Sequence, residues 1–425
     1  MILNDTTFRK LDQVLAGTDA LLADAYPGDD GRRQPVHTVY VPADQFSFDT
    51  AQRWGQQALE AVQQRGRMRQ LADLVLDHTS DPAYRDELAQ LVERKLGTEP
   101  VEDLRIDFED GYGQRSDAEE DRHAIAAAKQ VAKALAEGSA PPFIGIRFKC
   151  LEANLRARGL RTLELYLSTL LEQTGQLPES TTLTLPKVTT VDQVKAMNDI
   201  AATLETGFKM PQGALRYEVQ VETPQLIISA EGRSEVARVI HAGKGRITSL
   251  HYGTYDYSAS LGIAAAYQSM DHPAADFAKN IILTAVAETG VHFSDGSTNI
   301  LPVGDENQVN QAWQLHARLV SRHLRRGIYQ GWDMHPAQLP TRFLATFDFF
   351  NRSLTSAVQR LEQYVRAESD GIMDEPATAK ALARYVLRST ACGAADAAEI
   401  HQRLGLDQRA LEHLASTGLV PQSAT

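Results

Sequence analysis

The chain has 425 residues and a net charge of −12, with 43% hydrophobic and 23% charged residues, which is ordinary for a globular protein with a buried core. This acidic balance argues against nucleic acids and anionic membrane surfaces as partners, and no apolar run reaches the ~20 residues of a membrane span. Its two cysteines form no metal-binding or disulfide pattern, and its N-terminus carries charges where a signal peptide needs an apolar core, so we expect a cytoplasmic location.

Short β-type runs alternate with longer helical patterns along the chain, an order typical of a parallel sheet covered by helices. The predicted strands are residues 36–42, 103–109, 143–149, 182–188, 215–222, 246–253, 290–296 and 327–336. Eight strands, each followed by a helix, indicate an α/β fold of the (β/α)8 TIM-barrel type. A doubly wound open sheet is the main alternative, but no GxGxxG motif follows the first strand to favour it.

Two stretches exceed a minimal barrel. Residues 44–101 have the pattern of two helices inserted between the first and second strands. After residue 339 the pattern predicts one long amphipathic helix and two shorter ones, at about 375–388 and 394–404. The sequence therefore predicts a TIM barrel over residues 1–339 with a helical insertion at about 44–101, and a C-terminal helical extension over 340–425.

Polar and apolar side chains alternate on several predicted strands. On the fifth strand the polar face carries Arg216, Glu218, Gln220 and Glu222. Because the apolar face must meet the helices, the polar face should point into the barrel, where charges have to be paired or bound to metal. The basic residues available as counter-ions are Arg105, Arg147, Lys187 and Arg216.

Ionisable residues also follow the carboxyl ends of the predicted strands, where barrel active sites are assembled. In chain order they are Glu109, Asp110, Arg147, Lys187, Glu222, Asp256, Asp295 and His335. Several carboxylates that converge cannot all stay ionised without a cation. Oxygen ligands without a Cys/His cluster indicate a hard divalent ion, Mg²⁺ or Mn²⁺.

Seven segments, in order over about residues 36–339, carry a family resemblance. They are VYVPAD, IDFEDGYG, IGIRF, LTLPKV, VQVETP, LHYGTYDYSASLG and GIYQGWDMHPAQL. Together they resemble the citrate lyase beta-subunit-like enzymes of the phosphoenolpyruvate/pyruvate barrel superfamily, which include malyl-CoA lyases and class II pyruvate aldolases. Ala43 departs from the glycine that is usual in the first segment.

The resemblance implies a metal-dependent carbon–carbon lyase or aldolase that cleaves a hydroxy or oxo acid, or its acyl-CoA, through a Mg²⁺-stabilised enolate. In this sequence it implies Glu222 and Asp256 as metal ligands. It also implies Arg147 as the residue that binds and activates the substrate, because a guanidinium fork can hold both oxygens of a carboxylate.

The remaining candidates have less specific roles. Glu109 and Asp110 are catalytic candidates that could orient metal-bound water or a strand-end loop; a direct acid/base role and hydrogen bonds within the DGYG turn are the alternatives. Lys187 is a catalytic candidate that could hold developing charge or bridge carboxylates. A Schiff base at Lys187 is the alternative, which a metal site would make redundant. His335 is a substrate-binding candidate, for which a structural role on the closing strand is the alternative.

The resemblance further implies a small-molecule 2-oxo or hydroxy acid as partner, with coenzyme A left open as part of the substrate. It also implies a homo-oligomer, in which a C-terminal region can cap a neighbour's site and supply an acid such as Asp370 or Asp374. Two other functions stay open. One is phosphoenolpyruvate-type phosphotransfer or isomerisation, and the other is a non-catalytic barrel subunit of a larger assembly.

Overall fold

Eight parallel strands form a closed barrel in the computed structural model, which describes residues 2–29, 31–76, 81–366 and 375–421. The strands are β1 (His37–Pro42), β2 (Asp103–Asp107), β3 (Phe143–Arg147), β4 (Thr181–Leu185), β5 (Tyr217–Val221), β6 (Ile247–Tyr252), β7 (His292–Ser294) and β8 (Gly331–Asp333). They pair in the order β7-β6-β5-β4-β3-β2-β1-β8. A parallel bridge between Ser294 and Gln330 joins the last two strands. The predicted TIM barrel and its eight strands are confirmed.

Helices surround the barrel and extend beyond it. They are α1 (Asp5–Ala25), α2 (Thr50–Gln63), α3 (Met68–Val75), α4 (Pro82–Thr98), α5 (Asp117–Ala136), α6 (Arg156–Thr174), α7 (Val191–Gly207), α8 (Pro224–Ile227), α9 (Glu235–Ala242), α10 (Thr254–Ser260), α11 (Pro273–Val286), α12 (Glu306–Arg325), α13 (Leu339–Val365), α14 (Pro376–Ala391), α15 (Ala397–Leu404) and α16 (Gln408–Thr417). In the part of the chain that the structure describes, none of these helices combines the length and apolarity that crossing a bilayer requires.

The insertion contains three helices, α2, α3 and α4, so the prediction of two was wrong. Gly66, with φ of +141°, separates α2 from α3 in a conformation that residues with a Cβ rarely adopt. Pro82 starts α4, where a missing N–H costs no helical hydrogen bond. The three helices pack against α12 and α13 beside the closing strand β8.

The C-terminal region contains a further helix, α16, which the sequence analysis missed. Gly405, with φ of +67°, ends α15, and the Asp407 side chain caps α16 by accepting the Ala410 N–H at 2.8 Å. The first half of α13 packs into the barrel core, whereas Val358 and Leu361 pack with α14, α15 and α16. The domain boundary between residues 339 and 340 stays a prediction.

The C-terminal helices lie at the end of the barrel where the strands begin. From α14, Arg388 donates to Asp29 at 3.2 Å and lies 4.4 Å from the ring centroid of Tyr329, just before β8. Lys380 donates at 2.9 Å to Glu288, which precedes β7. In this chain α14 therefore packs at the end opposite the carboxyl ends of the strands. Asp370 and Asp374 lie outside the described residues.

The barrel interior is charged, as the strand alternation predicts. Arg105 is fully buried and donates to Glu218 at 2.7 Å, to Thr184 at 3.1 Å and to Asp103. The apolar faces of the strands pack outward into the core that they form with the helices. Arg216 is exposed, so the expectation that it is an interior counter-ion was wrong. It precedes β5 and so lies at the end of the barrel where the strands begin.

We expect Gly145→Ala to destabilise the protein strongly, because β3 and β4 approach closely at this residue. An ideal Cβ at Gly145 would lie 1.7 Å from the Thr182 carbonyl oxygen, which is backbone and cannot move aside cheaply. Overpacking of this kind costs about 1–3 kcal/mol or more. Urea unfolding measures the change in the free energy of unfolding.

Gly97→Ala is the matched control, because nothing lies within 4 Å of a Cβ added at that helical glycine. We expect it to be neutral or to stabilise the protein by up to about 1 kcal/mol. Equal effects of the two substitutions would contradict the close approach of β3 and β4.

Candidate active site

The candidate site lies at the carboxyl ends of β2 to β6. Glu109 and Asp110 follow β2, and Arg147 is the last residue of β3. Lys187 follows β4, and Glu222 follows β5. Asp256 lies in the first turn of α10, directly after β6. The barrel closure thus gathers residues that are up to 147 positions apart in the sequence (109 to 256).

Arg147 is held inside the barrel by Asp107. Its Nε and Nη2 donate to the two carboxylate oxygens of Asp107, each at 2.7 Å, and only 3% of the residue is exposed. The rings of Tyr40 and Trp332 have their centroids 4.6 and 5.7 Å from the guanidinium carbon. Burial disfavours the charge, yet the adjacent Asp107 carboxylate raises the pKa of Arg147 well above its ordinary value. The guanidinium is therefore charged and fixed in orientation.

One nitrogen of Arg147 makes only longer contacts. Nη1 lies 3.4 Å from Gln220 Oε1 and 3.6 Å from Glu109 Oε2. The indole N–H of Trp332 is buried and has no hydrogen-bond partner within the described residues. Arg147 Nη1 can therefore donate to a further ligand without breaking the bidentate pair between Arg147 and Asp107.

Lys187 joins three of the acidic candidates. Its Nζ contacts Glu109 at 2.9 Å and Asp110 at 2.8 Å, and its backbone N–H donates to Glu222 Oε1 at 2.7 Å. Burial opposes the charge, but hydrogen bonds to Asp110 and Glu109 raise the pKa of Lys187 above its ordinary value. Its φ of +50° lies in the left-handed region, a strain that costs about 1–3 kcal/mol and often marks functional sites.

The acidic side chains differ in their protonation. Burial raises the pKa of Glu222 to about 8, with the Asp256 carboxylate as the next cause. Burial also raises the pKa of Glu109. Burial raises the pKa of Asp110, but the hydrogen bond and charge of Lys187, together with the charge of Arg147, leave this pKa below its ordinary value. The site thus has more carboxylates than the neighbouring cations can neutralise.

The donor set fits a hard divalent cation better than zinc. Glu222 and Asp256 are oxygen donors whose mutual repulsion a cation would relieve, as the raised pKa of Glu222 indicates. The Glu222 side chain packs against the backbone of Gly253. A side chain at residue 253 would exclude it, because a Cβ there would lie 2.7 Å from Glu222 Oε2. No group of three or more Asp, Glu, His or Cys side chains forms a complete metal site in the described ranges. One or two carboxylates completed by water and substrate are the usual ligands of Mg²⁺.

His335 has none of the acidic candidates among its described hydrogen-bond partners. Its Nδ1 accepts the Ala337 N–H at 3.1 Å and so caps the short turn after β8. Its side chain lines a cavity of about 320 Å³, together with Tyr40, Arg53 and Trp54. The last two residues belong to α2, so the insertion borders the same end of the barrel. The substrate-binding role of His335 stays a prediction.

Several residues near the site could not be identified from the sequence. Asp107 is one of them, because its partner depends on the register that sets it beside Arg147 on β3. The hydroxyl groups of Thr254 and Ser297 are buried after β6 and β7 and have no hydrogen-bond partner within the described residues. Their small polar side chains gave no signal in the sequence.

Comparison with protein families matches residues 15–419 to a model described as a domain of unknown function, DUF6986. A comparison with curated proteins finds no match.

Solved structures with a similar fold include a citrate lyase from Burkholderia xenovorans LB400, with a TM-score of 0.54 and 18% identity over 90% of this chain and 97% of that chain. Another is Haloferax volcanii malate synthase in complex with magnesium and glyoxylate, with a TM-score of 0.50 and 12% identity over 84% of this chain and 89% of that chain. A third is the Mycobacterium tuberculosis protein CitE in complex with magnesium, acetoacetate and coenzyme A, with a TM-score of 0.47 and 16% identity over 85% of this chain and 99% of that chain. The predicted resemblance to citrate lyase beta subunits is thus confirmed as a likeness of fold.

We expect Asp107→Asn to destabilise the protein by about 3 kcal/mol or more, because it leaves the buried Arg147 guanidinium without its counter-ion. Chemical denaturation measures this loss. The matched control is Asp44→Asn, which removes the partly exposed contact of 3.3 Å to Arg115 and should cost less than about 1 kcal/mol. A similar small loss in both variants would show that Asp107 does not anchor Arg147.

Proposed function

The chain belongs to the DUF6986 family, and we propose that it is a metal-dependent carbon–carbon lyase or aldolase acting on a small hydroxy or oxo acid. The observation that carries this proposal is the Arg147 guanidinium, held by Asp107 beside the carboxylates of Glu109 and Glu222. This arrangement offers a carboxylate clamp next to a site for a divalent cation. The similar folds of a citrate lyase, and of a malate synthase bound to magnesium and glyoxylate, support the proposal.

In the proposed reaction Arg147 binds the substrate carboxylate. Among the described residues its Nη1 makes only the contacts at 3.4 and 3.6 Å, so a carboxylate oxygen can replace them. The unpaired indole N–H of Trp332 is a second donor nearby. Asp107 acts as a positioning residue, because it holds the guanidinium plane while the substrate binds.

Glu222 and Asp256 would hold Mg²⁺ or Mn²⁺, and the bound ion would act as a Lewis acid toward a developing enolate oxygen. In the cleavage direction, the substrate hydroxyl loses its proton as its C–O bond becomes a carbonyl. The electron pair of the breaking carbon–carbon bond passes to the adjacent fragment as an enolate, which then takes up a proton.

Glu109 is the residue that we propose to accept and return these protons. Burial raises the pKa of its carboxyl, and a contact of 2.9 Å with Lys187 Nζ holds its position. Lys187 stays protonated between Glu109 and Asp110, which suits charge stabilisation and not a Schiff base, because a Schiff base needs the neutral amine. Asp110 keeps Lys187 in place.

The substrate class can include a coenzyme A thioester as the acyl part, and we leave the identity of the acid open. The homo-oligomer, the cytoplasmic location and the exclusion of nucleic acid and membrane partners stay predictions. A non-catalytic role is an outcome of the experiments below, and phosphoenolpyruvate-type chemistry stays the alternative enzyme function.

We expect oxalate, a mimic of enolpyruvate, to stabilise the wild-type protein only when Mg²⁺ or Mn²⁺ is present. At a hundred times its dissociation constant the ligand should add about 2.7 kcal/mol to the free energy of unfolding. Glu222→Gln should lose this effect, because it removes one proposed metal ligand. Thermal unfolding with and without metal and oxalate measures it.

Glu231→Gln is the control, since this exposed glutamate makes only a contact of 3.8 Å with Arg233. It should behave like the wild type. An absence of any shift in the wild type, or an equal shift in Glu222→Gln, would overturn the metal site. It would then favour the non-catalytic reading.

Arg147→Lys should weaken the metal-dependent binding of oxalate at least tenfold, because lysine keeps the charge but loses the fork that holds Asp107 and ligand together. A charge-assisted hydrogen bond contributes about 1.5–3 kcal/mol, which corresponds to roughly a 10–100-fold change in dissociation constant. Titration calorimetry measures the dissociation constants of Mn²⁺ and of oxalate in separate experiments. The dissociation constant of Mn²⁺ should change little. Arg115→Lys, at the rim, should leave both unchanged.

A further inference from the structure

Helix α1 exposes its apolar face to solvent. None of its residues is buried, and six large apolar side chains along it are between 46% and 69% exposed. They are Phe8, Leu11, Val14, Leu15, Leu21 and Leu22. Most of the stability of a helix in a protein comes from the packing of its apolar face, and in α1 the rest of the chain does not bury that face.

The helix is attached to the rest of the chain through its C-terminal end. The ring of Tyr26 contacts that of His241 at 5.5 Å between centroids, and the N–H of Gly28 donates to the carbonyl of Glu288 at 2.8 Å. At 1.5 Å per residue α1 is about 31 Å long, so its apolar face extends well away from these contacts.

The exposed side chains repeat with heptad spacing. Phe8, Leu15 and Leu22 are seven residues apart, and Leu11 lies between the first two on the same face. Val14 and Leu21 are also seven residues apart and widen the stripe. A stripe with this period fits best against another helix of the same period. Two copies of the stripe have the same spacing and can therefore pack against each other. A two-fold interface between identical chains requires such a self-complementary surface.

The size of the stripe points to a protein interface. With roughly 150–200 Å² for each large side chain, about half exposed, the six residues present on the order of 500 Å² of apolar surface. The largest apolar patch on a typical monomer is about 300–600 Å² and often has a function, whereas stable interfaces bury about 800 Å² per partner. Flanking residues such as Ile2 and Leu3, also exposed, can supply much of the difference.

The charge of the helix argues against a membrane surface as the partner. The four acidic residues of α1 outnumber Arg9 and Lys10. Helices that lie in membrane interfaces are instead rich in lysine and arginine, because the lipid surface is anionic. We propose that α1 is a dimerisation helix whose Phe8–Leu22 stripe packs against the same stripe of a second copy of this chain.

The test compares two double variants of the full-length protein by analytical ultracentrifugation over a range of concentrations. Leu15→Asp with Leu22→Asp places charge in the stripe, and Gln13→Asp with Ala20→Asp places the same charge on the opposite face of α1. We expect the stripe variant to halve the mass of the assembly, while the control keeps the wild-type mass. Because no α1 residue is buried, both variants should keep the wild-type unfolding temperature of the barrel.

A wild-type protein with the mass of one chain at every concentration would overturn the proposal. A stripe variant with unchanged mass would overturn it as well. Flotation with vesicles of neutral and anionic phospholipid provides a further check. Binding of the wild type that the stripe variant loses would assign the helix to a lipid surface instead.

Cross-linking tests whether the two copies of α1 meet each other. Cys150 and Cys392 are buried, so a cysteine introduced on α1 is the accessible thiol of each chain. Leu15 lies at the middle of the helix, where it comes close to its own copy whether the helices run parallel or antiparallel. A short bismaleimide should join Leu15→Cys chains into dimers and leave Gln13→Cys chains single. If the Leu15→Cys protein is a dimer in solution but does not cross-link, α1 docks elsewhere on the second copy. That result would overturn the proposed pairing of the two α1 helices.

Discussion

The buried ion pair between Asp107 and Arg147 is the contact on which the candidate site depends. The parallel register of β2 and β3 sets the two residues side by side, and both side chains enter the barrel. Neither charge can lose the other without a cost of several kcal/mol, because water cannot replace the partner. The guanidinium therefore has one orientation, and Tyr40 and Trp332 cover it. A ligand meets a preorganised clamp, which reduces the ordering cost of binding.

The ionisable side chains inside the barrel form two layers, a lower one toward the beginnings of the strands and an upper one at their carboxyl ends. In the lower layer Arg105 is shared by Asp103 and Glu218, and hydroxyl groups complete the hydrogen bonds. In the upper layer the carboxylates outnumber the cations, and burial leaves Glu222 with a raised pKa. Asp103 and Glu218 each contact Arg105 and a threonine hydroxyl group, so the lower layer suits a structural role. An acidic excess at the carboxyl ends of the strands is where a cation and an anionic substrate can bind together, and we assign the proposed chemistry to it.

Different helices outside the barrel pack at its two ends. Helix α14 of the C-terminal region packs where the strands begin, through Arg388 and Lys380. The insertion packs beside β8, where α2 lines the cavity next to His335. Helix α1 is attached at the end where the strands begin, through Tyr26 and Gly28, and leaves its apolar stripe in solvent. Assembly through α1 would therefore leave the candidate site of each copy accessible.

The sequence by itself determined the barrel, its eight strands and the polar character of its interior, because strand length and two-residue alternation are local patterns. It also placed Glu109, Arg147, Lys187 and Glu222 at strand ends, although their roles stay predictions. Only the tertiary structure decided which carboxylate holds Arg147, since that follows from the register of two strands forty residues apart. The third inserted helix and α16 follow from local features, Gly66 and Pro82 in one case and Gly405 and Asp407 in the other, whereas the exposure of Arg216 was decided by tertiary packing. The same holds for α1: a heptad pattern is visible in a sequence, but whether the chain's own core covers it depends on where the fold places the helix.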